Sequence, residues 1–245
     1  MTRYSPDRGN HLLAALRTDE YDRLRPDLEL VSLVRGQVLG EPGRKITHIY
    51  FPVSAIVSLM CVMQNGESAE IALTGCEGLV GASLFLGADT PPSCAIVQSG
   101  GDSYRIAAAP MKAEFAGGGT LQAMALKYAL ALMVQMAQTA ACNRHHKLEQ
   151  RLCRWLLLGL DRSSSDELRM TQEAIAGMLG VRREGVTTAA GKLQASGLIR
   201  WSRGRMKVLD RKGLEQRACE CYAMVKGEYR RLLPVHGERL TPFAA

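Results

Sequence analysis

The stretch that decides the fold is residues 170–209, which read MTQEAIAGMLGVRREGVTTAAGKLQASGLIRWSRGRMKVL. In its first half, Ile175, Met178 and Leu179 recur at helical spacing and would form one buried stripe. Thr171 precedes this run and is a favourable N-cap residue, while Gly180 follows it and can adopt the left-handed conformation that ends a helix. The pattern therefore predicts a short helix closed by a glycine turn.

A second helix is predicted from about residue 183 to 195, with its apolar side chains facing inward. Its start exposes side chains whose chemistry suits base edges, because Arg can read guanine, Glu can accept from cytosine, and Thr offers a hydroxyl or a methyl group. These residues are Arg183, Glu184, Thr187 and Thr188. Arg182 stands where a capping Ser, Asp or Asn is preferred, so water or backbone is expected to cap this helix.

Two β-prone runs follow at 198–201 and 206–209, separated by Ser202-Arg203-Gly204-Arg205. A glycine-centred turn between short strands predicts a hairpin, and the two arginines at its tip suit a phosphate backbone. A capped helix, a glycine turn, a polar-fronted helix and a basic hairpin, in this order, are typical of a winged helix-turn-helix, which places its second helix in a DNA major groove. The alternative is a generic three-helix unit with solvated arginines, and that alternative does not account for the order.

The residues predicted to contact DNA are Gln172, Arg182, Arg183, Glu184, Thr187, Thr188, Lys192, Arg203 and Arg205. Gln172, Lys192, Arg203 and Arg205 are assigned to phosphates. Truncation of Arg203 to Ala is therefore expected to weaken binding to all sequences alike and to flatten its salt dependence.

The chain has 245 residues and a formal net charge of +7, and its positive charge is concentrated in one region. Residues 143–245 contain 20 Lys or Arg and 11 Asp or Glu, for a net charge of +9, whereas residues 1–142 have a net charge of −2. Within 182–212 there are 9 basic and 2 acidic residues. A basic surface that served only solubility would not be concentrated in this way, so the distribution indicates a nucleic-acid partner.

The composition also favours a cytoplasmic protein with reduced thiols. The first ten residues are polar, and the apolar run at 12–16 is too short for a signal peptide. Residues 121–137 are apolar but interrupted by Lys127 and Gln135, which predicts a buried helix and no membrane span. The 7 cysteines form no Cys-x-x-Cys pair and are odd in number, so free thiols are expected.

Between residues 26 and 116 the chain alternates short β-prone runs with turn residues. A helix is predicted at 10–25, and strands are predicted at 28–33, 46–51, 55–63, 69–74, 95–98 and 103–106. Asn65-Gly66 is a strong hairpin signal, and many short strands at regular spacing predict an antiparallel roll of the jelly-roll kind. Gly117-Gly118-Gly119 then breaks the chain, as a hinge or as a simple loop.

A long helix is predicted at about 120–143, with apolar residues on two neighbouring faces. The first face carries Leu121, Ala125, Tyr128, Leu132 and Met136, and the second carries Leu126, Leu130, Met133 and Ala137. The roll would cover one face, and the same helix of a second subunit would cover the other, because a two-fold dimer suits paired DNA half-sites. The alternative is a monomer that buries this helix entirely within itself.

Helices at 147–160 and at 211–233, the latter capped by Asp210, complete the predicted elements. The predicted fold class is α+β, with an N-terminal antiparallel β-roll, a long helix and a C-terminal winged helix-turn-helix. The predicted divisions are an effector domain at 1–118, a dimerisation helix at 119–144, a DNA-binding domain at 145–213, and a C-terminal helix and tail at 214–245.

This order resembles that of the Crp/Fnr family of bacterial transcription regulators, over about residues 28 to 209. The run at 171–186 is quite specific to that family, and Gly36-Gln37-Val38-Leu39, His48-Ile49-Tyr50-Phe51-Pro52 and Glu77-Gly78-Leu79-Val80-Gly81 look like its cyclic-nucleotide-binding-like effector domain. The resemblance implies a dimeric regulator that works with RNA polymerase on double-stranded DNA at a palindromic operator. It also implies an effector site in the roll that biases the DNA-reading helices through the long helix.

Carried over by the resemblance, Arg183 and Glu184 match the family's base-reading pair. Thr188 stands where some members have a further base-reading Arg, which implies a different half-site preference.

The resemblance also places the effector site, and there the sequence departs from the family pattern. Members that bind cyclic nucleotides use a Gly-Glu pair and, about ten residues later, an Arg-Ser or Arg-Thr pair. An ungapped match puts Gly81-Ala82 and Pro92-Ser93 at these positions, so the ribose carboxylate and the phosphate-binding Arg are absent. Because a buried phosphate without its cation is costly, we expect no tight cyclic AMP binding in that mode. An effector of unknown identity is expected near Gly81, Ala82, Ser83, Ser93 and Cys94.

The sequence leaves any cofactor unknown. Oxygen-sensing relatives hold an iron–sulfur cluster with closely spaced N-terminal cysteines, and since no Cys precedes Cys61, no such cluster is expected. His48 could serve as an axial haem ligand, although a lone His at a strand end is more often structural. Cys219 and Cys221, on one predicted helix, would point roughly 200° apart and chelate poorly. No metal site is therefore predicted, and a redox-active thiol is the alternative. The adjacent His145-His146 would diverge in the same way and lie at the surface.

Two other classes of protein are less consistent with the residues. A roll-type metal enzyme needs a cluster of His and carboxylates, but residues 26–116 contain one His, and no nucleophile elbow, P-loop or dinucleotide fingerprint is present. The chain is therefore not expected to be an enzyme. A ligand-binding or scaffold protein with a degenerate helix-turn-helix would not need Arg183, Glu184, Arg203 and Arg205.

Overall fold

The computed structural model describes residues 9–163, 167–202 and 204–233, and in it an antiparallel β-roll precedes one long helix and a C-terminal helical domain. The α+β class is confirmed. The strands of the roll are β1 (Glu29–Leu33), β2 (Val38–Gly40), β3 (His48–Pro52), β4 (Ile56–Val62), β5 (Ser68–Thr74), β6 (Cys94–Ser99) and β7 (Gly101–Ala107). They form two sheets with the orders β1-β7-β3 and β2-β6-β4-β5, and every neighbouring pair is antiparallel.

The N-terminal segment forms two helices, α1 (His11–Ala15) and α2 (Thr18–Leu24), so the prediction of one helix at 10–25 was wrong. The break occurs at Leu16, which adopts an extended backbone and is 1% exposed. Burying this leucine in the core under the roll is worth about 1.5–3 kcal/mol, which favours the break. A new helix start follows, where the Glu20 carboxylate accepts from the Arg17 backbone N–H at 3.2 Å.

Two elements of this half were not predicted from the sequence, strand β2 and helix α3 (Ala108–Ala116). The glycine break after the roll is confirmed, since Gly118 and Gly119 have φ values of 81° and 86° and separate α3 from α4 (Gly119–His145). These backbone angles favour glycine over any residue with a Cβ atom.

The long helix α4 packs its first predicted face against the roll. Leu121, Ala125 and Tyr128 are at most 2% exposed on this face. The Tyr128 ring lies against Gly78, where a Cβ atom would come within 2.2 Å of the ring. Gly78 is therefore needed for the helix to approach the roll this closely. Within the described residues, no helix combines the length and hydropathy that crossing a lipid bilayer requires.

The opposite side of α4 is open to solvent along its length. Leu126, Leu130 and Met133 are 44%, 42% and 51% exposed there. Together with three exposed alanines they form what we name the outer stripe: Ala123, Leu126, Leu130, Met133, Ala137 and Ala140. The members alternate in steps of three and four residues, which is the spacing of a helix–helix seam.

The C-terminal domain has its own hydrophobic core, built around α5 and a small antiparallel sheet of order β8-β10-β9. Its elements are α5 (Leu148–Leu160), β8 (Glu167–Arg169), α6 (Gln172–Leu179), α7 (Arg183–Ala195), β9 (Ile199–Ser202), β10 (Arg205–Val208), α8 (Arg211–Arg217) and α9 (Glu220–Leu232). Ile56 and Leu73 of the roll also belong to this core. The roll is therefore packed directly on the C-terminal domain.

The single helix predicted at 211–233 was also wrong, because α8 and α9 are separated at Ala218 and Cys219. The predicted Asp210 cap is confirmed, since its carboxylate accepts from the Gly213 backbone N–H at 2.9 Å. Both residues at the break have extended backbones, and Cys219 is 4% exposed. Burial of this side chain against the end of α4 takes the place of a continued helix.

Candidate nucleic-acid interface and effector cavity

The first helix of the predicted motif is positioned as its sequence signals indicate. The Thr171 hydroxyl accepts from the Ala174 backbone N–H at 3.2 Å and caps α6. Gly180 ends the helix with φ 61° and ψ 45°, in the left-handed region. Ile175 and Leu179 are buried in the core of the C-terminal domain. These local contacts fix the angle at which α7 leaves the turn.

The second helix, α7, separates an apolar inner face from a polar outer one. Val186, Ala190 and Leu193 are buried, as the pattern predicts. Arg182 precedes the helix without a side-chain capping hydrogen bond, also as predicted. The exposed residues at the start of the helix are Arg182, Arg183, Glu184, Thr187 and Thr188. The structure therefore brings these five predicted contacts together on one surface.

Hydrogen bonds within the motif hold the two threonines and Gln172 in place. The Thr187 hydroxyl lies 2.6 Å from Gln172 Oε1 and 3.1 Å from the Arg183 carbonyl oxygen. The Thr188 hydroxyl donates to the Glu184 carbonyl oxygen at 2.9 Å. With its amide oxygen engaged, Gln172 has its amide nitrogen to offer to a phosphate oxygen. Each threonine can still present its methyl group and an oxygen lone pair.

The hairpin after α7 pairs Ser202 with Arg205 across its turn. Arg205 and Lys192 are exposed, while Arg203 lies outside the described residues. A further cation, Arg169, pairs in register with Arg205 from β8 and is 73% exposed at its side chain. Sequence reasoning missed Arg169 because the three-residue strand that carries it was not predicted. This residue extends the basic surface of the sheet.

A cavity of about 560 Å³ lies between the roll and α4. Four of the five residues predicted for an effector site line it, namely Gly81, Ala82, Ser83 and Ser93. The fifth predicted residue, Cys94, does not line this cavity. Consecutive side chains of an extended chain point to opposite sides, so Cys94 points away from the side that Ser93 and Ala95 share. The α4 residues that close the cavity are Ala129, Leu132, Met133 and Met136.

Polar groups are few in this cavity. The Ser83 hydroxyl is buried and has no hydrogen-bond partner among the described residues. Arg44 and Lys45 also line the cavity, but both are exposed, and Arg44 pairs with Glu41 at 2.9 Å. His48 lies at the cavity wall with its Nδ1 atom 3.0 Å from the Thr47 hydroxyl. Because it is buried, the Ser83 hydroxyl is not presented to the cavity, and the mostly apolar lining suits a mostly apolar molecule.

A buried carboxylate joins the roll to the C-terminal domain. Glu70 on β5 accepts from the Ser58 hydroxyl at 2.6 Å and from Trp155 Nε1 at 2.8 Å. Burial raises the pKa of Glu70 to about 7. The two hydrogen bonds and the positive charges of Arg154 and Arg162 act in the opposite direction, but burial has the larger effect. The indole of α5 is thereby fixed to a titratable group of the roll.

A second buried connection joins four elements. Arg162, at the end of α5, donates to Glu77 of the roll at 2.6 Å and to Gln135 of α4 at 3.1 Å. Tyr229 of α9 donates to the same Gln135 oxygen at 2.8 Å. Because Arg162 and Gln135 are buried, each hydrogen bond removed from them would leave buried polar atoms unpaired at a cost of about 1–3 kcal/mol. The roll, the long helix and the C-terminal domain are thus held in one arrangement.

The Glu70 carboxyl is expected to make the free energy of unfolding fall as the pH rises from 5 to 7. The folded-state pKa of about 7 exceeds the ordinary value of 4.5, so the folded protein retains a proton that the unfolded chain releases. This contribution is fully present below pH 4.5 and is lost as the pH rises to about 7, for a total of about 3 kcal/mol. Chemical denaturation at several pH values measures it.

The matched comparison uses Glu70→Gln, which imitates the protonated carboxyl, and Glu67→Gln, which alters an exposed residue near the same strand. The difference in unfolding free energy between wild type and Glu70→Gln should change over this pH range, whereas Glu67→Gln should follow wild type. Parallel curves for wild type and Glu70→Gln would contradict the assignment.

The cysteines near the C-terminus are arranged differently from the sequence-based expectation. Cys219 precedes α9 as its N-cap residue and Cys221 lies in the first turn, so the divergence expected for one helix does not apply. Cys142, His146, Cys219 and Cys221 have ligand atoms that all lie within 4.8 Å of one another. Contact with Cys219 lowers the pKa of Cys142, and the same contact raises the pKa of Cys219. His145 is exposed, as expected.

Comparison with known proteins is consistent with this architecture. The model of the Crp-like helix-turn-helix domain matches residues 150–217. Among curated proteins, none matches this chain significantly.

Solved structures resemble the chain over most of its length. A transcriptional regulator assigned to the Crp/Fnr family from Eubacterium rectale has a TM-score of 0.67 and 18% identity, covering 86% of this chain and 98% of its own. FixK2 from Bradyrhizobium japonicum has a TM-score of 0.66 and 12% identity, covering 78% and 98%. The c-di-GMP-responsive global regulator CLP of Xanthomonas campestris has a TM-score of 0.59 and 18% identity, with the same coverage of 78% and 98%.

The match of the domain model falls on the exposed, polar-fronted helix-turn-helix described above, and the solved structures share the roll, the long helix and this domain. Residues 150–217 are therefore a Crp-like helix-turn-helix domain, and the chain as a whole has the fold of the Crp/Fnr transcription regulators.

Proposed function

We propose that this protein is a homodimeric, sequence-specific DNA-binding regulator of transcription whose roll binds a small effector other than cyclic AMP. The observation that carries the proposal is the exposed start of α7, where Arg183, Glu184, Thr187 and Thr188 share one surface above a fully buried inner face. A helix held in this way can enter a major groove without losing its own packing.

Base reading is assigned to this surface and phosphate binding to its margins. Arg183 and Glu184 supply a donor fork and an acceptor, which suit guanine and cytosine edges. Gln172, Lys192 and Arg205 are assigned as the phosphate contacts, and Arg203 has the same assignment from the sequence alone. The net charge of +7 within 182–212 would attract the DNA backbone over distances up to about a Debye length, roughly 8 Å at physiological salt.

Dimerisation is assigned to the outer stripe of α4. Its three large apolar residues are each more than 40% exposed, although the same helix is closely packed on its other side. The three-and-four spacing matches the seam of a two-stranded coiled coil, so a second copy of α4 is the partner that fits. A two-fold dimer would present two α7 helices to two half-sites.

The effector is assigned to the cavity between the roll and α4. Met133 contributes both to the cavity wall and to the outer stripe, so a bound molecule could alter the dimer seam directly. The lining is mostly apolar and its two cations are exposed to solvent, so a mostly apolar effector is favoured over a charged nucleotide.

Isothermal titration calorimetry is expected to detect no cyclic AMP binding at micromolar affinity. Ala82 and Pro92 occupy the positions where a ribose-binding carboxylate and a phosphate-binding guanidinium are needed, and the nearby cations Arg44 and Lys45 are solvent-exposed. Each charge-assisted hydrogen bond that is missing removes about 1.5–3 kcal/mol of binding free energy. A dissociation constant in the micromolar range would show that the cavity binds phosphate by other residues.

The proposal as a whole is tested by the salt dependence of DNA binding. Fluorescence anisotropy with a labelled duplex should give an affinity that falls steeply as salt rises from ~50 to ~200 mM, because phosphate contacts release counterions. Weak binding that does not depend on salt would instead support a ligand-binding or scaffold protein with a degenerate helix-turn-helix.

A further inference from the structure

Three cysteines and one histidine from distant parts of the chain converge where α4 meets α9. Cys142 lies in the last turn of α4, and His146 is the C-cap residue that follows this helix. Cys219 and Cys221 lie at the start of α9. Their ligand atoms are all within 4.8 Å of one another, and all three cysteines are buried.

Two of the separations are close to those around a single tetrahedral metal ion. Cys142 Sγ lies 3.5 Å from Cys219 Sγ, and Cys221 Sγ lies 3.4 Å from His146 Nδ1. Tetrahedral zinc with ordinary bond lengths places sulfur ligands roughly 3.8 Å apart and a sulfur and a nitrogen ligand roughly 3.6 Å apart. An iron–sulfur cluster would hold its cysteines farther apart, since they bind different iron atoms.

The surroundings also fit metal ligation. His146 directs Nδ1 at Cys221, while its Nε2 lies 3.2 Å from the Glu220 carboxylate. A carboxylate that accepts from the far nitrogen fixes the tautomer and orientation of a metal-bound histidine. Gln138 Nε2 donates to Cys221 Sγ at 3.1 Å, which would stabilise a thiolate.

Charge at the site is balanced by a buried arginine. Three thiolates and a neutral histidine around Zn²⁺ would leave one net negative charge. Arg154 is 3% exposed and donates to the Thr139 hydroxyl, one turn before Cys142 on α4, and its positive charge acts on Cys142. Its Nε atom is buried without a hydrogen-bond partner among the described residues. A buried cation beside an anionic zinc centre offsets the cost of burying either alone.

We propose that Cys142, His146, Cys219 and Cys221 form a structural Zn²⁺ site that fastens the C-terminal helix to the end of the long helix. Four protein ligands in a buried position leave no open coordination site, which is the pattern of a structural zinc. The two cysteines of α9 lie in or beside its first turn, and α8, which precedes it, packs on the C-terminal core. The metal would therefore stabilise the junction between α4 and the DNA-binding domain.

The site is tested by metal analysis of the full-length protein purified under reducing conditions. We expect about one zinc ion per chain to remain after gel filtration, and we expect this zinc to be lost from a Cys142→Ser, Cys219→Ser double variant. Cys61→Ser, which changes a thiol on β4 of the roll, is the matched control and should retain the metal. Replacement of zinc by Co²⁺ should produce the visible absorption of tetrahedral thiolate ligation in wild type and in Cys61→Ser.

A second variant keeps all four ligands and so avoids the risk that loss of cysteines prevents folding. Glu220→Gln should lower zinc affinity by roughly 10–100-fold in competition with a chelator, because the histidine loses its orienting carboxylate. Folded wild-type protein that takes up no zinc after incubation with ZnCl₂ would overturn the proposal. Equal zinc in wild type and the double variant, or a Cys142–Cys219 disulfide in the freshly purified protein, would also overturn it. These measurements do not depend on DNA binding.

Discussion

Replacement of Leu130 by Asp is expected to convert the protein to monomers and to weaken binding to a two-half-site operator by roughly 10²–10⁴-fold. Leu130 lies at the centre of the outer stripe of α4, between Leu126 and Met133. Near a two-fold axis the variant would place two carboxylates together in an apolar seam, and burying unpaired charges costs several kcal/mol. Each monomer would then bind one half-site without help from the other.

Sedimentation velocity and anisotropy with the operator at ~0.15 M salt measure these two effects together. Leu30→Asp is the matched control, because Leu30 is a 57% exposed leucine on the roll and lies outside the stripe. It should remain dimeric and bind as wild type does. If Leu130→Asp remained a dimer with unchanged affinity, the interface would lie elsewhere on the molecule.

Truncation of Arg183 to Ala is expected to cost about 1–3 kcal/mol per half-site and to relax preference at one base position. The reason is geometric, since the Arg183 side chain is exposed at the start of α7 and the guanidinium fork matches the two acceptors of guanine. In a dimer the loss would occur in both half-sites. Competition binding with operators changed at single positions measures the affinity and the base preference.

Arg205→Ala separates base reading from phosphate binding. Arg205 lies on the hairpin, 62% exposed at its side chain and away from the start of α7. Its truncation should weaken binding to all DNA sequences equally. It should also reduce the slope of log affinity against log salt concentration by about 1. A change in preference at one base only would mean that the hairpin reads sequence, and an unchanged base preference in Arg183→Ala would refute the role of Arg183.

Local signals in the sequence were sufficient for the helix-turn-helix. The Thr171 cap and the Gly180 turn depend on residues within a few positions of each other, and both were predicted correctly. The same holds for α7, whose inner residues repeat at helical spacing and whose uncapped start at Arg182 was also foreseen. A motif whose geometry is set by caps, turns and periodicity can be inferred without tertiary information.

The breaks at Leu16 and at Ala218–Cys219 could not be inferred in this way. Leu214 of α8 and Tyr222 of α9 pack into the same core, so apolar residues continue at helical spacing through the second break. The pattern therefore looks like that of one continuous helix. The interruption follows from burial of Cys219 against α4, a contact between residues 77 positions apart. The cluster of Cys142, His146, Cys219 and Cys221 was missed for this reason. On a single continuous helix, the spacing of Cys219 and Cys221 would have directed the two side chains apart.

The two connections between the roll and the C-terminal domain were missed on similar grounds. Glu70 and Trp155 are 85 positions apart, as are Glu77 and Arg162. Sequence analysis singled out Glu77 only within the run at 77–81 that resembles an effector domain, and it did not single out Glu70. The closing of the effector cavity by α4 likewise depends on how the helix lies on the roll. Such features require the tertiary fold, because neither periodicity nor spacing contains them.

The most direct test of the central claim is selection of binding sites from a random DNA pool by the purified, ligand-free protein at ~0.15 M salt. We expect enrichment of a palindromic motif whose half-site centres lie about one helical turn, ~34 Å, apart. Selection by Arg183→Ala should enrich a motif that is degenerate at one position in each half. Recovery of no motif by the wild-type protein, alone and after a screen of apolar effectors, would contradict a sequence-specific regulator.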